Sequence, residues 1–404
     1  MASIAREWSP KGFALSCVLA GFALCLRTDN QLLRSFGLNG VAGVFAVSLL
    51  IGVVALCFVV LVSAHDEERR RWSVGVGLIA GVGGVGFALL QGALPFWVSA
   101  AGSGGLLGFS LTCLLRQWGR WYRSLSFQGT LFGTAVSFLV ASCLWYAVMH
   151  AGTPFLFCLG LLVLVLCGGL PLLMSEIVHA DEVRAGILPE TVERWEPLVT
   201  IWQVVRSGWA AVVGLMISLF AAGLSFWPAV TGPLARTVSF KPLAYAIVVA
   251  MVWWVVARAR SVQGGVFEGF YRVLLPAAAV VMLAGLFAES GVPLGGSMAF
   301  PVASYLGVAV FNVLGLAILF WMAKSSEVGF SKVFALFCGS CTVSFGAGML
   351  AFEVLGWDAR TAMLCLLAAY LAAMMLGEAR AALLRYRARR RADDVLPDVF
   401  NGGE

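Results

Sequence analysis

The stretch SEIVHADEVRAGILPETVERWEPL, residues 175–198, is the longest polar connection between apolar runs in this chain. It carries six acidic residues against two arginines. Because clustered charges are costly in lipid and stay in water, this stretch divides the chain into two apolar parts. We predict an N-terminal half at residues 1–174, an acidic cytoplasmic linker at 175–198, a C-terminal half at 199–384 and a basic cytoplasmic tail at 385–404.

The composition on either side of the linker is that of a membrane protein. The 404 residues are 61% hydrophobic and 12% charged, with a mean hydropathy of +0.93, whereas soluble domains are near half apolar and a quarter charged. This balance excludes a soluble enzyme or regulator. The apolar runs are continuous rather than alternating, which excludes a transmembrane β-barrel. We therefore expect an all-α polytopic membrane protein.

Each half contains six apolar runs that could cross a bilayer as helices, since a span needs about 20 residues. The twelve predicted spans are 11–26, 39–63, 73–97, 99–115, 128–149 and 153–174 in the first half, and 200–225, 241–257, 272–288, 298–322, 331–355 and 360–384 in the second. Trp97 and Trp118, near predicted span ends, are predicted to anchor at the membrane interface.

The basic residues predict the orientation of the bundle. With an even number of spans, 22 of the 27 Lys and Arg residues fall on the side of the N-terminus, and short cytoplasmic loops retain positive charge. We predict a multi-pass protein of the cell's inner (plasma) membrane, with both termini in the cytoplasm.

Two six-helix halves joined by a long polar connection are the plan of the major facilitator superfamily (MFS), in which the ligand binds between the halves near mid-membrane. We predict an MFS-like fold and look for the ligand site among polar and aromatic residues of the spans. The candidates are Gln91, Trp145, Tyr146, Tyr305, Asn312 and Glu353. Because the span interiors contain almost no ionisable residues, they favour a small, weakly polar ligand.

Other motifs do not indicate catalysis. The GxGxxG pattern at 81–86 and the CxxC pattern at 338–341 both lie inside predicted spans, and the three histidines are scattered. A dinucleotide site would need a strand before the glycines, so we interpret these glycines as contacts between helices, within the monomer or in a homodimer. We predict no enzyme activity, catalytic residue, metal or cofactor.

Several segments of the second half resemble one narrower group. They are WQVVRSGW at 202–209, ISLFAAGLSFW at 217–227, FYRVLLP at 270–276, FNVLG at 311–315 and AKSS at 323–326. They resemble the MFS-like twelve-helix membrane sensor of actinobacterial LuxR-type transcriptional regulators. That resemblance implies a sensor that binds its ligand between the halves. It also implies that DNA would be bound only through a C-terminal helix-turn-helix domain, which this chain does not contain.

In a sensor of this kind the signal would leave through span twelve and the basic tail, where Arg385, Arg387, Arg389, Arg390 and Arg391 are the predicted cytoplasmic coupling residues. The alternative is an MFS-type transporter, a facilitator or exporter of a neutral or apolar small solute. A third reading is a membrane scaffold for partner proteins. The loop SAHDEERRR at 63–71 lacks the two glycines that facilitators usually carry between spans two and three, which favours the sensor.

Overall fold

The computed structural model describes residues 13–26, 41–62, 70–122, 125–184, 201–224, 241–258, 275–281, 299–322, 330–356, 361–362 and 364–376. Almost all of these residues lie in helices. The helices of the first half are α1 (Ala14–Cys25), α2 (Val41–Val62), α3 (Arg70–Leu89), α4 (Phe96–Tyr122), α5 (Phe127–Met149) and α6 (Pro154–Arg184). Those of the second half are α7 (Ile201–Leu224), α8 (Lys241–Arg258), α9 (275–281), α10 (Ala299–Met322), α11 (Phe330–Leu355) and α12 (Leu364–Leu376).

Each of the twelve predicted spans contains one of these helices, so the predicted all-α polytopic fold is confirmed. Six helices are long and apolar enough to cross a bilayer within the described residues, and several others are shorter apolar helices. In lipid a helix satisfies its own backbone hydrogen bonds, which is why continuous apolar runs form helices here. The chain is a multi-pass membrane protein.

Some predicted boundaries were wrong around α4 and α6. The break between the third and fourth spans lies at residues 93–95 rather than near 98. Pro95 lacks the N–H that would continue the preceding helix and disfavours helical backbone at Leu94, and its carbonyl accepts the first hydrogen bonds of α4. Helix α4 continues seven residues beyond the predicted end at 115. Helix α6 extends to Arg184, into the predicted linker, and the rest of that linker lies outside the described residues.

Glycines bring helix backbones together in both halves. A Cβ atom placed on Gly104 or Gly108 of α4 would lie 2.3 or 2.2 Å from a carbonyl oxygen of α2. In the second half, a Cβ atom on Gly223 of α7 or Gly348 of α11 would lie 2.1 or 2.2 Å from a carbonyl oxygen of the facing helix. Only glycine permits such close approach, as expected for helix packing in lipid.

The two halves meet along two pairs of helices, α2 with α11 and α5 with α8, and α5 also contacts α10. In the first pair, Ala46 of α2 shares a small buried cluster with Phe345 and Met349 of α11. In the second pair, Leu131 of α5 shares a buried cluster with Val252 of α8. Helix α5 therefore contributes side chains to the apolar core of the opposite half.

The two ends of the bundle differ in charge. We call the end at which α4 and α10 finish and α5 and α11 begin the basic end, because Arg116, Arg120 and Lys332 lie there. The other end is called the opposite end. The basic end corresponds to the side that the distribution of Lys and Arg predicts to be cytoplasmic.

Candidate functional site

Three side chains from the two halves meet between α5, α8 and α10, and we call them the central site. Phe138 of α5 and Tyr245 of α8 are stacked, with ring centroids 5.4 Å apart and an interplanar angle of 6°. The Asn312 amide Nδ2–H of α10 donates a hydrogen bond of 3.0 Å to the Tyr245 hydroxyl. Phe138 and Asn312 are near the middle of their helices, so the central site lies at mid-depth in the bundle.

The central site is partly accessible although it is enclosed by helices. Helix α10 packs against α5, α7 and α8, and its described side chains from Ala309 to Phe320 are buried except for Asn312. Val308, one turn before Asn312, is also half-buried. Because Asn312 bonds Tyr245 of α8, which stacks on Phe138 of α5, the Asn312 side chain faces these two helices rather than lipid.

The halves also make contact at the basic end, through α4 on one side and α10 and α11 on the other. Gly119 of α4 faces the rings of Phe320 and Phe330, and a Cβ atom placed on it would lie 2.7 and 2.5 Å from carbons of these rings. Tyr122 of α4 also contacts Phe320, with centroids 5.5 Å apart. These aromatic rings fill the space between the halves at this end.

A polar contact lies beside these rings. The Oγ atom of Ser331, at the start of α11, accepts hydrogen bonds from Arg116 Nε and Nη2 at 3.0 and 2.6 Å and from Arg120 Nη2 at 2.8 Å. Ser331 is fully buried. Gly119, Phe320, Phe330 and these three polar residues together form what we call the basic-end contact.

The structure separates the predicted ligand-binding residues. Asn312 belongs to the central site. Trp145 and Tyr146, both on α5, face different surroundings: Trp145 is 1% exposed and lies in the largest buried cluster, whereas Tyr146 is 39% exposed and contacts the ring of His150. Neither Trp145 nor Tyr146 takes part in the contacts that define the central site.

Three further candidates are located by their helices alone. Gln91 lies in a short 3-10 turn, Leu90–Gly92, after α3 at the opposite end. Tyr305 precedes Asn312 by two turns of α10, and Glu353 lies near the end of α11. The predicted coupling residues of the basic tail lie outside the described residues: Arg385, Arg387, Arg389, Arg390 and Arg391.

Sequence reasoning did not find Phe138, Tyr245 or the pairing of Arg116 with Ser331. Arg116 and Arg120 follow the predicted end of the fourth span at residue 115, but both lie on α4. The two arginines are four residues apart, which places them on the same face of a helix. This spacing is a signal in the sequence that the helix continues past residue 115. No comparable signal in the sequence pairs Phe138 with Tyr245, because their contact joins distant parts of the chain.

Within the described part of the chain, no three His, Cys, Asp or Glu side chains are grouped to hold a metal ion. The glycines of the GxGxxG pattern lie on α3, where Gly81 and Gly84 face α6 and α4. These two glycines pack against neighbouring helices, whereas a Cβ atom placed on Gly86, the last glycine of the pattern, would have no atom within 4 Å.

No protein-family model matches the sequence, and no curated protein matches it. Solved structures do match over most of the chain. A bacterial homologue of the iron transporter ferroportin, in an outward-facing state, is 14% identical with a TM-score of 0.60, covering 91% of this chain and 97% of its own. The chain has the MFS fold.

Two further neighbours are also transporters. The human organic anion transporter MFSD10 is 15% identical with a TM-score of 0.56, covering 91% of this chain and all of its own. The MFS transporter FucP, in the outward conformation, is 14% identical with a TM-score of 0.52, covering 90% of this chain and 97% of its own. These three neighbours are transporters, and the comparisons give no support to the resemblance to LuxR-type regulators.

Proposed function

We propose that this protein is an MFS-type transporter, a facilitator or exporter of a small neutral or weakly polar solute. The sensor reading has no specific observation in its favour, whereas the structural neighbours are transporters that this chain matches over nine-tenths of its length. The proposal also places the protein in the cell's inner (plasma) membrane, with the basic end in the cytoplasm.

The observation that carries this proposal is the position of the central site between the halves, with the basic-end contact on one side of it. A carrier needs a site that can be reached from each side in turn. Phe138 comes from one half, Tyr245 and Asn312 come from the other, and the ring contact of Gly119 lies between the same halves nearer the basic end. Movement of one half against the other would alter both.

The basic-end contact suits a reversible closure. It consists of aromatic rings around a glycine and of hydrogen bonds to one hydroxyl, and neither requires a covalent change to open. The halves also touch toward the opposite end, where Ala46 of α2 packs with Phe345 and Met349 of α11.

The charge distribution supports a neutral solute. In the described helices, Asp, Glu, Lys and Arg occur toward the helix ends, and the central site offers an amide, a phenol and a ring. A charged solute or a coupled proton would be expected to meet an ionisable side chain at mid-depth. Tyr305, which precedes Asn312 on α10, is retained as a proposed binding residue.

Solute flux in proteoliposomes tests this function. The purified chain would be reconstituted, and the entry of radiolabelled xylose, fucose and benzamide would be compared with entry into empty liposomes. We expect protein-dependent flux of at least one neutral solute. Gly119→Leu should reduce that flux, because the larger side chain prevents the halves from closing at the basic end.

Gly86→Leu is the matched control, since nothing lies within 4 Å of a Cβ atom at this position. It should transport as the wild type does. If purified, folded protein binds one of these solutes but moves none of them across the bilayer, a receptor would be favoured and the transporter proposal rejected.

A further inference from the structure

The central site combines a ring surface with two polar groups of opposite hydrogen-bonding character. Asn312 donates one N–H to Tyr245, which leaves its carbonyl oxygen as an acceptor and the Tyr245 O–H as a donor. Among the described residues, no other hydrogen bond involves these two side chains. The Asn312 carbonyl and the Tyr245 hydroxyl belong to side chains in direct contact. Together they match a ligand that carries a hydrogen-bond donor beside an acceptor.

The ring surface comes from both halves of the protein. Phe138 lies nearly parallel to Tyr245, and it packs against the buried clusters of both halves. Both rings are half-buried, as Asn312 is. Aromatic rings prefer offset-stacked or edge-to-face partners, so a planar ligand could stack on this pair or separate it.

The absence of charge in the described part of the site limits the ligand further. An ionised ligand held among a phenol, an amide and a phenyl ring would lose its hydration without a compensating charge. A neutral ligand loses less, and its polar edge would be satisfied by the Asn312 carbonyl and the Tyr245 hydroxyl.

We propose that the central site recognises neutral aromatic molecules with an amide-type edge, such as a ring bearing a carboxamide. The ring stacks on Phe138 and Tyr245, the ligand N–H donates to the Asn312 carbonyl, and the ligand carbonyl accepts from the Tyr245 hydroxyl. This inference rests on the proposed function, in which the ligand is the transported solute, but it is tested by binding alone.

The test compares benzamide with cyclohexanecarboxamide, which has the same amide on a saturated ring. Binding to the full chain in lipid nanodiscs would be measured by equilibrium dialysis, with empty nanodiscs as the background. Stacking favours the aromatic ring, so benzamide should bind about three- to tenfold more tightly. Phe138→Leu should abolish this preference.

Two variants test the polar groups of the central site. Asn312→Leu should weaken the binding of both amides by a similar factor of about ten, because it removes the carbonyl acceptor and leaves the stacked rings in place. Tyr245→Phe should weaken both amides and keep the preference for benzamide. The control is Phe155→Leu on α6, where the ring is exposed, and it should change neither affinity.

Equal binding of the two amides to the wild type, or binding of neither, would overturn the inference. So would a preference for benzamide that persists in Phe138→Leu. Phe138→Tyr keeps a ring at this position and should keep the preference, which separates loss of stacking from loss of folding. Flux of xylose or fucose without amide binding would reject this ligand class and leave the transporter proposal standing.

Discussion

At the scale of single residues, glycines decide how closely the helices approach. Gly52 of α2 is the sharpest case, because a Cβ atom there would lie 2.1 Å from the carbonyl oxygen of Gly105 and 2.9 Å from the nitrogen of Phe109. Both atoms belong to the backbone of α4, which cannot rotate away. Helices α2 and α4 would therefore have to separate.

We expect Gly52→Ala to destabilise the protein by about 1–3 kcal/mol, the usual cost of inserting atoms into a well-packed interior. A lower apparent melting temperature in detergent would record this loss. Gly86→Ala is the matched control on α3, where the added Cβ meets nothing and alanine favours the helix by about 0.5–1 kcal/mol. Equal melting temperatures for the two variants would contradict the close packing of α2 and α4.

Single residues also mark the limits of prediction from the sequence. Asn312 was identifiable as a polar residue in the middle of an apolar span, but its partner Tyr245 was not, since the hydrogen bond joins two separate spans. Trp118 was predicted as an interface anchor and is instead 1% exposed, and its indole Nε1–H donates to the Gly168 carbonyl of α6. Trp97 is 63% exposed at the start of α4, as an interface residue should be.

At the scale of elements, helix existence was predictable and some helix ends were not. The hydropathy of the fourth span falls at Arg116, but α4 continues to Tyr122 because its last turns pack against α10 and α11. Burial against another helix, rather than contact with lipid, stabilises those turns. A prediction from the hydropathy of the sequence alone therefore ends α4 too early.

The contact of α4 with α11 leads to a prediction about local opening. Ser331→Ala removes the hydroxyl that accepts from both Arg116 and Arg120. Hydrogen bonds to charged groups contribute about 1.5–3 kcal/mol, so amide hydrogen exchange at the start of α11 should become about tenfold faster or more.

Ser340→Ala is the matched control on the same helix. The Ser340 hydroxyl is exposed, and among the described residues it bonds only the Leu336 carbonyl of its own helix, so its loss should leave exchange at the start of α11 unchanged. Unchanged exchange in Ser331→Ala would mean that the arginines do not hold the two halves together.

At the scale of the whole molecule, the sequence predicted the fold more securely than the function. Apolar run length and the count of six spans on each side of residues 175–198 led to the MFS fold that the structural neighbours show. The resemblance to LuxR-type regulators rested on loose patterns in mostly apolar stretches of sequence, where few residue types are available and similar strings recur. The missing glycines in the stretch 63–71 turned the interpretation away from a transporter, although residues 63–69 lie outside the described residues.

We propose that the two halves move against each other around the central site, so that one end opens as the other closes. Distances between spin labels measure this directly. One pair, Val76 and Trp254, would report the basic end, and the other pair, Leu89 and Leu243, would report the opposite end. All four side chains are exposed, and both pairs join α3 to α8. Attachment through a noncanonical amino acid leaves the ten native cysteines in place.

In nanodiscs, Gly119→Leu should lengthen the Val76–Trp254 distance and shorten the Leu89–Leu243 distance, because it prevents closure at the basic end. Gly86→Leu should change neither distance. If Gly119→Leu leaves both distances unchanged, or lengthens both together, the halves do not alternate and the account of this protein as a carrier is contradicted.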